Sequence, residues 1–389
     1  MSAFNFEIKI PTRLFFGVGS LERLGKFAGD LGKKAMIVTG RHSSKRTGLL
    51  YRVEEILKKA GVESVVFDKV TPNPTDELVD EGSKMAKEED VDFIIGLGGG
   101  SSIDCAKAIA MTTSSGGKFW DYVSVGGGKK PKSALPIVAI TTTHGTGTEI
   151  DPFAVITNLK TKEKVGIGYD VIFPKFSIVD PELMLTLPKD QTLYTSMDAF
   201  YHAIETFISV HASVFTDMLA LDAMRRVVTY LPLAYENGDD LNARTNLAWA
   251  NTEAGITLTL AGASANHAIE HGITGFHPDI AHGLGLCMTG PNFLEHIKDH
   301  IVEKLAIVGK EVFGVYEREK EKASELAIMK LREFQGIFKL NRKLRECGVK
   351  DEELEDIAKV SYRAMYRVVE NTPGNLKESD LLEILKKSF

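Results

Sequence analysis

The chain has 389 residues, 43% hydrophobic and 26% charged, and its 47 basic and 53 acidic side chains give a net charge of −6. That balance excludes a basic footprint for nucleic acid or an anionic membrane, and no apolar run approaches the ~18–20 residues of a membrane span. Cys105, Cys287 and Cys347 are odd in number and far apart, which excludes a disulfide framework and a CxxC metal clip; a cytoplasmic setting is expected, since MSAFNFEIKIP has no signal-peptide pattern.

The first half alternates short apolar strands with amphipathic helices. AMIVTG (35–40), SVVFDK (64–69), DFIIGLG (92–98) and PIVAITT (136–142) read as buried strands, and TGLLYRVEEILKKAGV and ELVDEGSKMAKEEDV read as helices between them. Apolar strands alternating with helices predict a parallel sheet covered on both faces. FAVITNLKTKEKVGIGY (153–169) alternates around a polar turn and predicts a β-hairpin. After SIVDPELMLTLPKD (177–190) strand signals almost vanish, and long helical patterns such as MDAFYHAIETFISVHA and RTNLAWANTEAGITLTLAGA take over. The expected fold is an α/β dinucleotide-binding domain over 1–187 and an all-helical domain over 188–389, hinged near Pro181 and Pro188. A cleft between such halves is a usual ligand site.

GLGGGSSIDCAKAIA (96–110) falls where a strand ends and a helix begins. Glycines there let backbone approach a phosphate, and the free N–H groups of the helix start favour an anion. The loop is neither a full GxGxxG nor a P-loop, because Ser101 holds the last glycine position and no Lys-Ser/Thr follows. Asp104 and Lys107 lie one turn apart on one face of the helix. A second polar loop, TTTHGTGTE (141–149), follows another buried strand. Two such loops at the carboxyl ends of parallel strands suit a dinucleotide pyrophosphate.

Asp198 and His202 in TSMDAFYHAIETF are spaced i, i+4, which brings a carboxylate and an imidazole onto one helix face. NHAIEHGITGFHPDIAHG adds His267, His271, His277 and His282 within sixteen positions. HAIEH matches the HxxEH signature of a zinc protease, with Glu270 as base, but that reading leaves the glycine-rich loops unexplained. One carboxylate with three neutral imidazoles is instead a complete ligand set for Fe²⁺ or Zn²⁺, with one position left for a substrate oxygen.

RLFFGVGSLERLG, TPNPTDELVDEG, GGGSSIDCAKAIA, TTTHGTGTE, VDPELMLTLP, MDAFYHAIE and HAIEH…PDIAHG together resemble the iron-dependent (group III) alcohol dehydrogenases, over nearly the whole chain. The resemblance implies Asp198, His202, His267 and His282 as metal ligands, with His271 near the metal and nicotinamide as a proton relay; His277 has no counterpart. It implies Gly98, Gly99, Gly100, Ser101 and Asp104 at the pyrophosphate, Thr142, Thr143 and Thr146 near the phosphates and nicotinamide ribose, and Asn73 as a further cofactor contact. His144 stands where the family often has a small residue. NAD-preferring relatives tend to carry an acid at the end of the first strand; here Gly40 is followed by Arg41, so NADP(H) is expected over NAD(H). The implied function is reversible hydride transfer between a nicotinamide and a primary alcohol or aldehyde, with Fe²⁺ or Zn²⁺ as Lewis acid. A zinc polyol dehydrogenase or a dehydroquinate synthase-like lyase is the alternative. A homodimer or larger assembly is expected, with FNFEIKI as an interface strand.

Overall fold

The computed structural model describes residues 4–389. Six strands form one parallel sheet: β1 (Arg13–Phe16), β2 (Lys34–Gly40), β3 (Glu63–Val70), β4 (Phe93–Gly98), β5 (Ile137–Thr141) and β8 (Phe176–Val179). β6 (Phe153–Asn158) and β7 (Glu163–Gly168) form the antiparallel hairpin read from the sequence. The spatial order is β1-β8-β5-β4-β2-β3. The apolar strands alternate between two cores, as a sheet buried on both faces requires. Met36, Val38 and Ile94 face one core, while Ala35, Ile37, Phe93, Ile95 and Leu97 face the other. Each fully buried Ile, Leu or Phe contributes roughly 1.5–3 kcal/mol of transfer free energy.

Strand order reverses between β2 and β4, and a parallel sheet opens a crevice at the carboxyl ends of such a pair. Two glycines make this end work. A Cβ on Gly96 would lie 2.8 Å from Ile103 Cα, so the helix Gly100–Ser115 packs directly on β4. A Cβ on Gly100 would lie 2.4 Å from Thr146 Cγ2, so the two polar loops touch only because that side chain is missing.

From Lys189 onward the chain is helical, beginning with Lys189–Ile208, Val214–Glu236, Leu241–Ala261, Ala265–Phe276 and His282–Ile297. Pro188 precedes the first of these, which starts at Lys189, ahead of the MDAFYHAIETFISVHA pattern. β1 and β8 were not expected as strands. The expected strand FNFEIKI is not one: residues 4–10 carry no strand, and Phe4, Phe6 and Ile8 are exposed. No helix among the described residues is long and apolar enough to cross a membrane.

Candidate metal centre and cofactor cleft

Three helices bring the predicted ligands together. Asp198 and His202 come from Lys189–Ile208, one turn apart; His267 comes from the first turn of Ala265–Phe276; His282 opens His282–Ile297. Around Asp198 Oδ1 stand His282 Nε2 at 3.4 Å, His267 Nε2 at 3.5 Å and His202 Nε2 at 3.7 Å. Four ligand atoms about 2.1 Å from a tetrahedral ion would be roughly 3.4 Å from one another. Asp198 Oδ1 and His267 Nε2 are buried with no hydrogen-bond partner, an expensive state for polar atoms unless something else satisfies them. The donor set and its orphaned atoms therefore fit a divalent ion. Asp198, His267 and His282 offer mutually close ligand atoms, as does a second group, Glu270, His271 and His282, while His202 joins the first through its 3.7 Å approach to Asp198.

Two buried carboxylates orient the imidazoles. His267 Nδ1 donates to Glu205 Oε1 at 2.8 Å, and Glu205 Oε2 accepts the Ser264 N–H at 2.9 Å. His282 Nδ1 pairs with Glu270 in the same way. A proton on Nδ1 leaves each Nε2 lone pair facing the centre. Glu270 also accepts from Lys164 Nζ at 3.3 Å, and Thr274 Oγ1 takes a second bond from that ammonium at 3.1 Å. Glu270 is thus fully buried and doubly engaged, the opposite of a protease base open to water.

The charges follow from this packing. Burial pushes Asp198 up, but the surrounding imidazoles of His202 and His282 overcome it and hold the carboxyl far below its usual range. Burial pushes His202 down to about 3. Burial opposes a charge on His267 too, yet Glu205 and Asp198 raise it to about 10, so the ion-free centre holds a proton there that a metal would displace. His271 is held well below the ordinary range by burial and by the Lys164 ammonium, so it is neutral and does not titrate near neutrality as its type suggested. Its Nδ1 has no partner.

The expected cofactor residues collect at the carboxyl edge of the sheet. Gly99, Gly100, Ser101, Thr143 and Thr146 line a cavity of about 530 Å³ that reaches Asp198 and His282. Thr142 borders a smaller cavity beside Ser43, Ser44, Arg46 and Gly98. Gly40 ends β2 beside this region, and Arg41 is exposed; Arg46 rather than Arg41 lines that cavity. Asn73, in a left-handed conformation (φ 53°), donates to Pro278 O at 2.9 Å across the cleft. Asp104 lines the cleft, but both its oxygens are engaged, by Thr148 Oγ1 at 2.6 Å and the Val155 N–H at 2.9 Å. Lys107 is buried beneath it against Asp151.

His144 is fully buried and lines neither cleft cavity. Its Nε2 accepts from the buried Arg244 at 3.1 Å, while its Nδ1 lies 3.2 Å from Ser196 Oγ. It ties the 141–149 loop to two helices of the other half. His277 pairs with Glu353 at 2.8 Å, a tie between the 277–281 loop and a later turn.

Residues 11–181 match the family model described as iron-containing alcohol dehydrogenase, and residues 192–389 match that of the Fe-containing alcohol dehydrogenase family C-terminal part. The chain belongs to the iron-containing alcohol dehydrogenase family. It is an NAD(P)-linked oxidoreductase of alcohols and aldehydes. It is 35% identical to NADH-dependent butanol dehydrogenase A of Clostridium acetobutylicum over 99% of this chain and 100% of that one. Identity to the NAD-dependent methanol dehydrogenase of Bacillus methanolicus is 35%, over 98% and 99%. Among solved structures, an archaeal alcohol dehydrogenase from a Red Sea brine pool superposes with a TM-score of 0.94 at 33% identity, covering both chains completely. The NADH-dependent butanol dehydrogenase A of Thermotoga maritima gives 0.91 at 32%, over 100% of both chains to within one per cent.

Sequence reasoning missed Glu205, Glu270 as a histidine partner, Lys164 and Arg244. A signal existed for the first two: HAIE occurs twice, at 202–205 and 267–270, and each glutamate serves a histidine on another helix.

Proposed function

We propose that the chain interconverts primary alcohols and aldehydes at a single divalent ion, Fe²⁺ or Zn²⁺, held by Asp198, His202, His267 and His282. The convergence of three imidazole nitrogens on the orphaned Asp198 Oδ1 carries this reading. When bound, the ion supplies Lewis acidity to the substrate oxygen and the dinucleotide supplies or takes the hydride. Glu205 and Glu270 fix the ligand tautomers, and Lys164 holds Glu270 in place. Gly98, Gly99, Gly100 and Ser101 offer backbone N–H groups and a hydroxyl to the pyrophosphate; Thr142, Thr143, Thr146, Asn73 and Asp104 border the same groove. His271, buried beside the centre with Nδ1 free, is the candidate relay residue, acting as a neutral hydrogen-bond partner to the substrate hydroxyl rather than as a titrating base. The two domains, 1–187 and 188–389, close this site between them.

NADP(H) is proposed over NAD(H), because Gly40 presents no carboxylate to a 2′-phosphate and Arg46 stands beside Ser43 and Ser44. The Clostridium acetobutylicum relative is named NADH-dependent and the Bacillus methanolicus one NAD-dependent, so the NADP(H) proposal rests on Gly40 and Arg46 alone. A homodimer and a cytoplasmic setting belong to the same proposal. Initial rates of butanal reduction with NADPH and NADH, in metal-loaded and chelator-treated protein, test both parts. Turnover that survives complete metal removal overturns the metal reading, and strong NADH preference overturns the cofactor reading.

A further inference from the structure

From the ion site a second chamber of about 310 Å³ runs outward, sharing His202, His267 and His271 with the centre. Its walls are apolar: Phe153, Val155 and Ile167 from the hairpin, Leu258 and Val368 from helices, and Met365 from the turn between two of them. A chamber that begins at the reacting centre and is lined this way receives the part of the substrate that does not react. One further charged side chain borders it, that of Arg367 on the short helix Tyr366–Glu370, and no carboxylate does.

Arg367 differs from its neighbour. Arg363, one turn earlier, is tied to Glu163. Among the described residues no carboxylate lies within ion-pair distance of Arg367. Asn371, one turn further along, spends its amide on Ala263 O at 3.0 Å. Arg367 is exposed, and its planar donor fork suits a carboxylate. A plain alkyl tail would fill the apolar walls and leave this cation unused.

We propose that the preferred substrates are aliphatic aldehydes and alcohols carrying a carboxylate at the far end, that is, ω-semialdehydes and ω-hydroxy acids, with the chain in the apolar chamber and the carboxylate on Arg367. The assignment rests on the alcohol dehydrogenase reading of the site. In the reducing direction the aldehyde carbon gains hydride from the reduced nicotinamide and its oxygen gains a proton. The products are the ω-hydroxy acid and the oxidised nicotinamide, and the carboxylate is unchanged.

The test compares kcat/KM for butanal with 4-oxobutanoate, and for hexanal with 6-oxohexanoate, in metal-loaded full-length protein and in Arg367→Gln, Arg367→Lys and Arg363→Gln. The expected result is a preference of about tenfold or more for one carboxylated aldehyde over its plain partner, carried mainly by KM. Arg367→Gln should abolish that ratio, Arg367→Lys should keep part of it, and Arg363→Gln should keep it whole. Wild-type preference for the plain aldehydes, or a ratio untouched by Arg367→Gln, overturns the proposal while leaving an alcohol dehydrogenase. Turnover of none of the four aldehydes overturns the underlying reading as well.

Discussion

His144 ties the cofactor loop to the helical half, and its chemistry makes that tie sensitive to acid. Arg244 donates into Nε2, so the ring must keep its proton on Nδ1, facing Ser196 and Thr195. A second proton would set an imidazolium against a buried guanidinium. Burial, reinforced by Arg244, therefore drives His144 down to about 3 from an ordinary 6.5. Between these values the unfolded chain takes up a proton that the folded chain refuses, so stability falls as pH drops below 6.5. At pH 5 the difference is 1.5 pH units, or about 2 kcal/mol at 1.36 kcal/mol per unit. His144→Gln removes the titration. At neutral pH it should cost about 1–3 kcal/mol for bonds made less well, but it should lose about 2 kcal/mol less than wild type between pH 7.5 and 5. Urea unfolding of both metal-free proteins at the two pH values measures this, and His202, which also resists protonation, cancels in the comparison. Equal losses in the two proteins would refute the reasoning.

Two further predictions concern buried charge. Lys107 Nζ lies 2.8 Å from four oxygens, those of Thr148, Asp151 (two) and Phe153, which share its three N–H donors, so Lys107→Met strands a buried carboxylate and should cost roughly 3–5 kcal/mol; a loss below about 1 kcal/mol in chemical denaturation would show the pair to be dispensable. Because Glu205 helps raise His267 to about 10, Zn²⁺ binding at pH 8 should release about one proton from that ring in wild type and fewer in Glu205→Gln. Calorimetry in buffers of different ionisation enthalpy reads the difference, and identical release would remove Glu205 from its role.

Much of this was legible in the sequence because it is local. Strands such as FIIGLG are wholly apolar, and the Asp198/His202 and His267/His271 spacings declare a helix face without any tertiary knowledge. β1 and β8 were hidden because each is four residues long, one opening on Arg13 and the other abutting the Asp180-Pro181 turn. They become strands only by pairing with each other and with β5. The oriented carboxylates were hidden for a related reason: Glu205 serves a histidine 62 positions away, a partnership between helices that no spacing rule encodes. Lys164 read as an ordinary hairpin lysine, and Arg244 lies 100 positions from His144. His277, without a counterpart in the resemblance, faces Glu353 on a neighbouring turn.

Anomalous diffraction at the iron and zinc edges, from protein prepared anaerobically, tests the central claim most directly. The account predicts one peak per chain, about 2.0–2.2 Å from Asp198 Oδ1 and from the Nε2 atoms of His202, His267 and His282. A peak between Glu270, His271 and His282 instead, or none in protein that reduces aldehydes, would contradict it.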